Sequence, residues 1–151
     1  MTIKQLTTPK EIVDRWPLFA HGFQTIAQKG RESFDEGMML KTVLWLVGEP
    51  DFGYINFAEK AGTFVGFSIW QDATPMFVLS RSFIARAVYT ENGNQTGTVL
   101  LLRDFEKWAR EKHIDRYIVS TRRHSGAALR HFQSPKFGLL KGAITFEKEI
   151  T

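Results

Sequence analysis

The chain has 151 residues, of which 43% are hydrophobic and 13% aromatic, enough for a single domain with a sizeable core over residues 1–151. It contains no cysteine, which excludes disulfides, thiolate nucleophiles and cysteine-ligated zinc. No apolar run approaches the roughly 20 residues that cross a bilayer, and no hydrophobic signal region begins the chain, so the sequence predicts a soluble, cytoplasmic protein without a membrane partner.

The net charge of +4 is concentrated in the last third of the chain. Residues 100–151 carry eleven basic and six acidic side chains, and residues 116–146 carry no acidic side chain at all. An anion-binding face and an ordinary solvated basic face are equally compatible with this pattern.

The first third of the chain predicts one strand and two helices. Residues 2–7 have the pattern of a short strand, and Thr8 is a plausible N-cap for a helix over residues 9–28 that Pro17 should break or kink. A second helix over residues 35–48 is indicated by apolar residues at helical spacing, namely Met39, Leu40, Val43, Leu44 and Val47.

The middle of the chain predicts three strands and a long helix. Residues 53–71 have the composition of an antiparallel hairpin joined through residues 58–62, and residues 83–90 form the next strand. A polar stretch with two glycines then leads into a helix from Thr98 onward, whose apolar side is formed by Leu101, Leu102, Phe105, Trp108 and Ala109.

The end of the chain predicts a buried strand over residues 115–123, a short helix over residues 125–132 and a final strand or tight hairpin over residues 138–150. Helices interspersed among strands in this order indicate a mixed α/β (α+β) domain.

The polar stretch before the long helix is a candidate phosphate site. A strand that runs through a glycine-containing loop into a helix leaves the first helical N–H groups directed at one spot, where the helix dipole favours an anion. Gly93 and Gly97 would let the backbone approach a ligand, and Asn94 and Gln95 could add amide donors. The alternative is a plain polar connection with a helix cap, since the stretch is neither a Walker loop nor a G-x-G-x-x-G turn.

These residues and the order of elements resemble the GNAT superfamily of acyl-CoA-dependent N-acetyltransferases, best over residues 83–150. In that family a Q/R-x-x-G-x-G/A loop after the fourth strand holds the acetyl-CoA pyrophosphate at the start of the third helix. The matching residues here read NQTGTV, with Gly97 at the first glycine position, Asn94 in place of Gln or Arg, and Val99 in place of the small final residue. The resemblance implies a central, mostly antiparallel sheet flanked by about four helices.

The resemblance also implies a binding site for acetyl-CoA as co-substrate. Val88 and Tyr89 would line the pantetheine arm, and Arg122 and Arg123 could contact the CoA phosphates or an acidic partner, or be plain surface charge. The pyrophosphate would be held by the backbone amides of Asn94, Gln95, Thr96, Gly97, Thr98 and Val99.

The catalytic groups that the resemblance implies are sparse. Phe132 stands where many family members have the tyrosine that protonates the departing thiolate, so His131 and Ser134 are the candidate substitutes. Glu91, just past the fourth strand, is the nearest carboxylate for a general base. No H-x-x-x-H pair lies on a predicted helix, so no metal is expected.

The sequence therefore predicts an acetyl-CoA-dependent N-acetyltransferase in which an amine of an unknown acceptor attacks the thioester directly. One alternative is a GNAT-like binding or structural protein that has lost catalysis. Another is a nucleic-acid-modifying protein of the kind that some bacteriophages build on this fold, which the basic stretch favours weakly. An uncovered edge strand near the C-terminus could pair with a second subunit in a homodimer.

Overall fold

A computed structural model describes residues 1–119 of the chain as three α-helices and a five-stranded sheet of order β1-β2-β3-β4-β5. Strands β1 to β4 pair antiparallel and β5 pairs parallel with β4, so the predicted mostly antiparallel sheet is confirmed. The predicted helix over residues 125–132 and the last predicted strand lie outside the described residues. The elements are β1 (Thr2–Gln5), α1 (Pro9–Lys29), α2 (Glu36–Val47), β2 (Gly53–Lys60), β3 (Thr63–Asp72), β4 (Ser82–Thr90), a 3₁₀ turn (Glu91–Gly93), α3 (Gln95–Glu111) and β5 (Arg116–Ile118).

Helix α1 begins as the sequence predicts and continues where it should have broken. The Thr8 hydroxyl accepts the Glu11 N–H at 3.3 Å, and the Glu11 carboxylate accepts the Thr7 N–H at 3.1 Å, which together cap the first turn. The helix then passes through Pro17 to Lys29, so of the predicted break or kink the break is wrong, while the kink stays a prediction. Pro17 and Val13 both lie on the exposed side, where water can bond the Val13 carbonyl that proline cannot.

The hairpin between β2 and β3 turns later than predicted. Strand β2 continues to Lys60, through the first part of the expected turn at residues 58–62, and only Ala61 and Gly62 connect it to β3. Their φ values of 50° and 77° are those of a tight two-residue turn, in which the second position suits glycine.

The helices cover the two faces of the sheet separately. Helices α1 and α2 pack on one face, here called the α1 face, around a core that includes Phe19, Phe23, Val43, Leu46, Phe57, Phe67 and Ile69. Helix α3 packs on the other, the α3 face, where the core includes Tyr54, Trp70, Phe83, Leu102, Phe105 and Trp108. None of the helices within residues 1–119 combines the length and apolar composition that a membrane span requires.

A bulge in β4 exchanges the two faces along that strand. Ala87 pairs with Ile69, but Ala85 pairs with the next residue of β3, so Arg86 is an extra residue. Strict alternation would keep Ala85 and Ala87 on one face. Ala85 instead packs against the α3-face core, whereas Ala87 and Tyr89 belong to the α1-face core.

Candidate functional site

Within residues 1–119, strand β4 has an open edge over most of its length. It pairs with β5 only from Ser82 to Ile84, opposite Arg116 to Ile118, and Val119 has already left the strand. Among residues 1–119, no strand covers the β5 side of β4 over residues 85–90. The backbone groups along this edge can therefore bond an extended ligand, as exposed sheet edges do with peptides.

The bulge at Arg86 lies where the open edge begins. Its guanidinium Nε donates to Gln71 Oε1 at 2.6 Å, which holds the side chain beside β3. Because a bulged residue leaves the regular ladder, its backbone groups are re-aimed away from β3. The predicted pantetheine-lining residues Val88 and Tyr89 lie on the same open edge, farther along the strand.

The predicted phosphate loop is mostly the first turn of α3. The helix starts at Gln95 rather than Thr98, because Asn94 is its N-cap and its side-chain oxygen accepts the Gly97 N–H at 2.8 Å. The Asn94 carbonyl accepts the Thr98 N–H at 3.0 Å. The amides of Gly97 and Thr98 are thus used within the helix start, and those of Gln95 and Thr96 are the first two of the helix.

Gly97 has a packing reason that the sequence did not reveal. A Cβ at this position would lie 2.8 Å from Cγ1 of Val65, so glycine lets α3 approach the sheet closely. The chain reaches this point through a turn in which Asn92 and Gly93 have φ values of 53° and 64°. Together they place the positive end of α3 directly after the open edge of β4.

A cluster of three polar side chains, here called the His21 cluster, lies on the α1 face at the end of β4. His21 Nε2 lies 3.3 Å from Glu91 Oε1 and 3.3 Å from the Tyr89 hydroxyl, and the His21 and Tyr89 rings meet edge-on. Burial raises the pKa of Tyr89, and the negative charge of Glu91 raises it further. The tyrosine therefore remains a neutral phenol at physiological pH.

Glu91 was predicted as a candidate base, whereas His21 was missed. His21 and Tyr89 are 68 positions apart, and no motif connects them. Periodicity could have placed His21 on α1, but the sequence gives no signal that this part of α1 packs over the end of β4.

The remaining predicted site residues lie outside the described part of the chain. These are Arg122, Arg123, His131 and Ser134. Within residues 1–119, no group of three or more His, Cys, Asp or Glu side chains is placed to hold a metal ion.

The α3 face contains a second polar group, here called the Asn56 network. Asn56 Nδ2 donates to the Leu101 carbonyl at 3.0 Å and to Asp104 Oδ2 at 2.9 Å, and its side-chain oxygen accepts the Ser68 hydroxyl. Two further members join it from either end, since Trp70 donates to the Ser68 oxygen at 2.7 Å and the Tyr54 hydroxyl donates to Asp104. These bonds connect β2, β3 and α3.

Comparisons with known proteins find likeness in structure only. No protein-family model matches the sequence, and no curated protein matches it. A probable acetyltransferase of known structure is 20% identical with a TM-score of 0.70, and the match covers 99% of this chain and 100% of that one. An aminoglycoside acetyltransferase from an uncultured soil metagenomic sample, solved with sisomicin, is 14% identical with a TM-score of 0.72 over 99% of this chain and 96% of that one.

A third similar structure is the ribosomal-protein-alanine N-acetyltransferase of Brucella melitensis biovar Abortus 2308, which is 14% identical with a TM-score of 0.66 over 100% of this chain and 99% of that one. At such identities, structural likeness establishes the fold and leaves the substrate open. With these matches over nearly its whole length, the chain has the GNAT-like fold of acetyltransferases.

Proposed function

We propose that the chain is an N-acetyltransferase that moves the acetyl group of acetyl-CoA to an amine. One observation carries the proposal: within residues 1–119, the open edge of β4 begins at the Arg86 bulge and leads through the short 3₁₀ turn to the first turn of α3. This arrangement offers an extended row of backbone donors and acceptors that ends at a positive helix terminus. A long, polar ligand with a phosphate-bearing end fits such a row.

In this proposal the pyrophosphate lies at the start of α3, near the exposed Thr96 in its first turn. Of the six predicted residues, Gly97 and Thr98 use their amides within the helix itself, so they would act through the helix dipole and not by direct hydrogen bonds. Asn94 contributes by capping the helix, Val99 lies in its second turn, and Val88 and Tyr89 offer backbone groups to the pantetheine arm.

The reaction that this site would support is direct attack. The amine nitrogen bonds the thioester carbon, the carbon–sulfur bond breaks, and the thiolate leaves. Backbone N–H groups beside the bulge would stabilise the oxyanion, and holding the two reactants together would supply much of the rate. Glu91, at the end of β4, is the proposed proton-handling carboxylate, and His131 and Ser134 stay predictions for the leaving thiolate.

The acceptor would be a primary amine that enters from the α1 face. Two of the similar structures are acetyltransferases for aminoglycosides and for ribosomal-protein alanine, which are both amine acceptors. Four points stay predictions from the sequence. They are a contribution of Arg122 and Arg123 to CoA binding, a homodimer, a nucleic-acid partner and a cytoplasmic location.

The proposal is tested by titrating acetyl-CoA, CoA and adenosine 3′,5′-bisphosphate while following thermal unfolding. A ligand at about 100 times its dissociation constant stabilises the folded state by about 2.7 kcal/mol, which raises the melting temperature by several degrees. We expect a saturable rise with acetyl-CoA and CoA. No shift at millimolar acetyl-CoA would contradict the proposal and favour a protein that has lost catalysis.

A matched pair of variants locates the pyrophosphate. Thr96→Glu adds a negative charge in the first turn of α3, where a carboxylate suits the helix dipole but repels a bound phosphate, and Thr96→Gln is the uncharged control of the same shape. We expect Thr96→Glu to weaken acetyl-CoA binding about tenfold and Thr96→Gln to change it little. Equal affinities for the two variants would argue against a pyrophosphate at the start of α3.

A further inference from the structure

The His21 cluster is built by a close approach of α1 to β4. A Cβ on Gly22 would lie 2.4 Å from Cε1 of Phe67 and 2.9 Å from Cδ1 of Tyr89, so only glycine lets the helix settle at this depth. This contact brings the neighbouring His21 against the Tyr89 hydroxyl and Glu91. The close packing of α1 against the core of the sheet therefore determines the position of the His21 cluster.

The neighbours of His21 favour one of the two neutral tautomers of its ring. Nε2 lies 3.3 Å from Glu91 Oε1, and an ionised carboxylate can only accept, so the tautomer that suits Glu91 has its proton on Nε2. In that tautomer Nδ1 has the free lone pair. The His21 side chain is 56% exposed, so the ring is accessible from the α1 face.

His21 also supplies an imidazole, a side chain that can accept and release a proton. Within residues 1–119 the histidines are His21 and His113, and His113 lies beyond the end of α3. Histidine is the side chain that ordinarily changes charge near neutral pH. In the part of the chain that the structure describes, the titratable side chains against His21 are Glu91 and Tyr89, and the Thr25 hydroxyl donates to the His21 carbonyl at 2.8 Å.

We infer that His21 is the general base of the proposed transfer and that Glu91 and Tyr89 are its positioning residues. The inference rests on the proposed function. It gives Glu91 an indirect role, which is to orient the imidazole of His21. It parallels the way in which a carboxylate orients a catalytic imidazole and stabilises its protonated form.

The proton balance of the reaction is complete with this assignment. The acceptor arrives as an ammonium ion on the α1 face and loses one proton to Nδ1 of His21, which passes it to water. The neutral amine attacks the thioester, the carbon–nitrogen bond forms and the carbon–sulfur bond breaks. The second proton leaves the nitrogen as the intermediate collapses and ends on the CoA sulfur.

The path of the first proton includes solvent. The strand from the Arg86 bulge to Tyr89 spans about 10 Å at the usual rise per residue, which is longer than a direct hydrogen bond. Because the His21 side chain is 56% exposed, a chain of several water molecules can carry the proton over this distance.

The tautomer is tested first, because it needs no acceptor. The imidazole nitrogen chemical shifts of ¹⁵N-labelled protein should show His21 protonated on Nε2 in its neutral form. Protonation on Nδ1 would overturn the assignment, since that nitrogen could not then accept a proton.

Catalysis is tested by comparing the wild type, His21→Gln and the control His113→Asn. Each is assayed for acetyl-CoA binding and for CoA release with a panel of primary amines that includes sisomicin and a peptide with an amino-terminal alanine, between about pH 6 and about pH 9. We expect His21→Gln to bind acetyl-CoA normally, to lose roughly 100-fold or more in kcat/KM at neutral pH, and to lack the inflection that the wild type shows. His113→Asn should match the wild type.

The outcomes separate the two claims. If the wild type binds acetyl-CoA and releases CoA, but His21→Gln keeps its rate and pH profile, the role of His21 is wrong and the transferase function stands. If the wild type turns over no amine of the panel, the transferase function fails, and the role of His21 fails with it.

Discussion

Each face of the sheet holds a group of hydrogen-bonded polar side chains, and the two groups differ in how much water reaches them. In the Asn56 network, Asn56, Ser68 and Trp70 are completely buried. In the His21 cluster, the side chains of His21 and Glu91 are 56% and 34% exposed. Burial thus distinguishes a polar group that can only hold the fold together from one that can also meet a substrate.

The hydrogen bonds of the buried polar atoms support the same distinction. Within residues 1–119, no fully buried side-chain nitrogen or oxygen lacks a partner, so the buried members of the Asn56 network are all paired within the protein. Their bonds join β2 and β3 to α3, and we interpret the network as a structural clamp. The His21 ring, in contrast, is exposed to solvent.

The largest effect should come from breaking the clamp. Asn56→Leu leaves the Asp104 carboxylate and the Leu101 carbonyl without the amide donor and Ser68 without its acceptor. We expect the free energy of unfolding to fall by about 4 kcal/mol, as measured by urea denaturation. A loss below about 1 kcal/mol would contradict the clamp interpretation.

Each of the two polar groups contains one tyrosine hydroxyl. Tyr54→Phe removes a donor from Asp104 in a buried setting and should lower the free energy of unfolding by about 2 kcal/mol. Tyr89→Phe keeps the ring packing and should lower the free energy of unfolding by less than about 1 kcal/mol, while reducing kcat/KM. Stability and activity can be measured on the same preparations, and a larger loss of stability in Tyr89→Phe would contradict the structural role of the Asn56 network.

Substitutions at two glycines test how closely α1 packs against the sheet. Gly22→Ala places a methyl group against Phe67 and Tyr89, and we expect a net loss of about 1 kcal/mol, because overpacking exceeds the gain in helix propensity. In the control Gly37→Ala, the nearest atom to the new Cβ is 3.5 Å away, so stability should be unchanged or rise slightly. Thermal unfolding measures both. Equal stability of the two variants would show that α1 is not seated tightly.

The smallest effect belongs to an exposed charge group at the start of α1. A hydrogen bond from the Lys4 ammonium, with one from the Thr7 N–H, lowers the pKa of Glu11 from its ordinary 4.5 to about 2. A lowered pKa means that the unfolded state binds more protons, so the stabilisation is present above about pH 4.5 and is lost as the pH falls towards about 2.

Glu11→Gln should therefore lower stability at pH 7 and leave it nearly unchanged near pH 2. We expect less than about 1 kcal/mol at pH 7, because the Lys4 side chain is 57% exposed and water screens the pair. Denaturation curves of both proteins at the two pH values measure the difference. A loss that is independent of pH would point to the cap geometry instead of the charge.

The sequence predicted what local patterns determine. The Thr8 cap, the second helix and the strand over residues 83–90 follow from capping chemistry and periodicity, and the structure confirms them. The bulge at Arg86 could not be predicted, because it depends on how β4 aligns with β3. His21 was missed for a related reason: its meeting with Glu91 depends on the packing of α1 against a distant strand.

The candidate phosphate site contains one feature that the sequence predicted and two that it could not predict. The pattern of residues 94–99 correctly indicated a helix start after a strand. It did not show that Asn94 would cap the helix through the Gly97 N–H, which removes that amide from the candidate set. Nor did it show that Gly97 is needed beside Val65, since this contact depends on the position of the sheet.

Ligand binding is proposed for the open edge of β4 and the start of α3, and a purely structural role for the Asn56 network. Backbone amide chemical shifts recorded during an acetyl-CoA titration distinguish these two regions. We predict saturable shifts concentrated on residues 85–97, with little change at Asn56 and Ser68. No saturable shifts, or shifts concentrated on the Asn56 network, would contradict the claim.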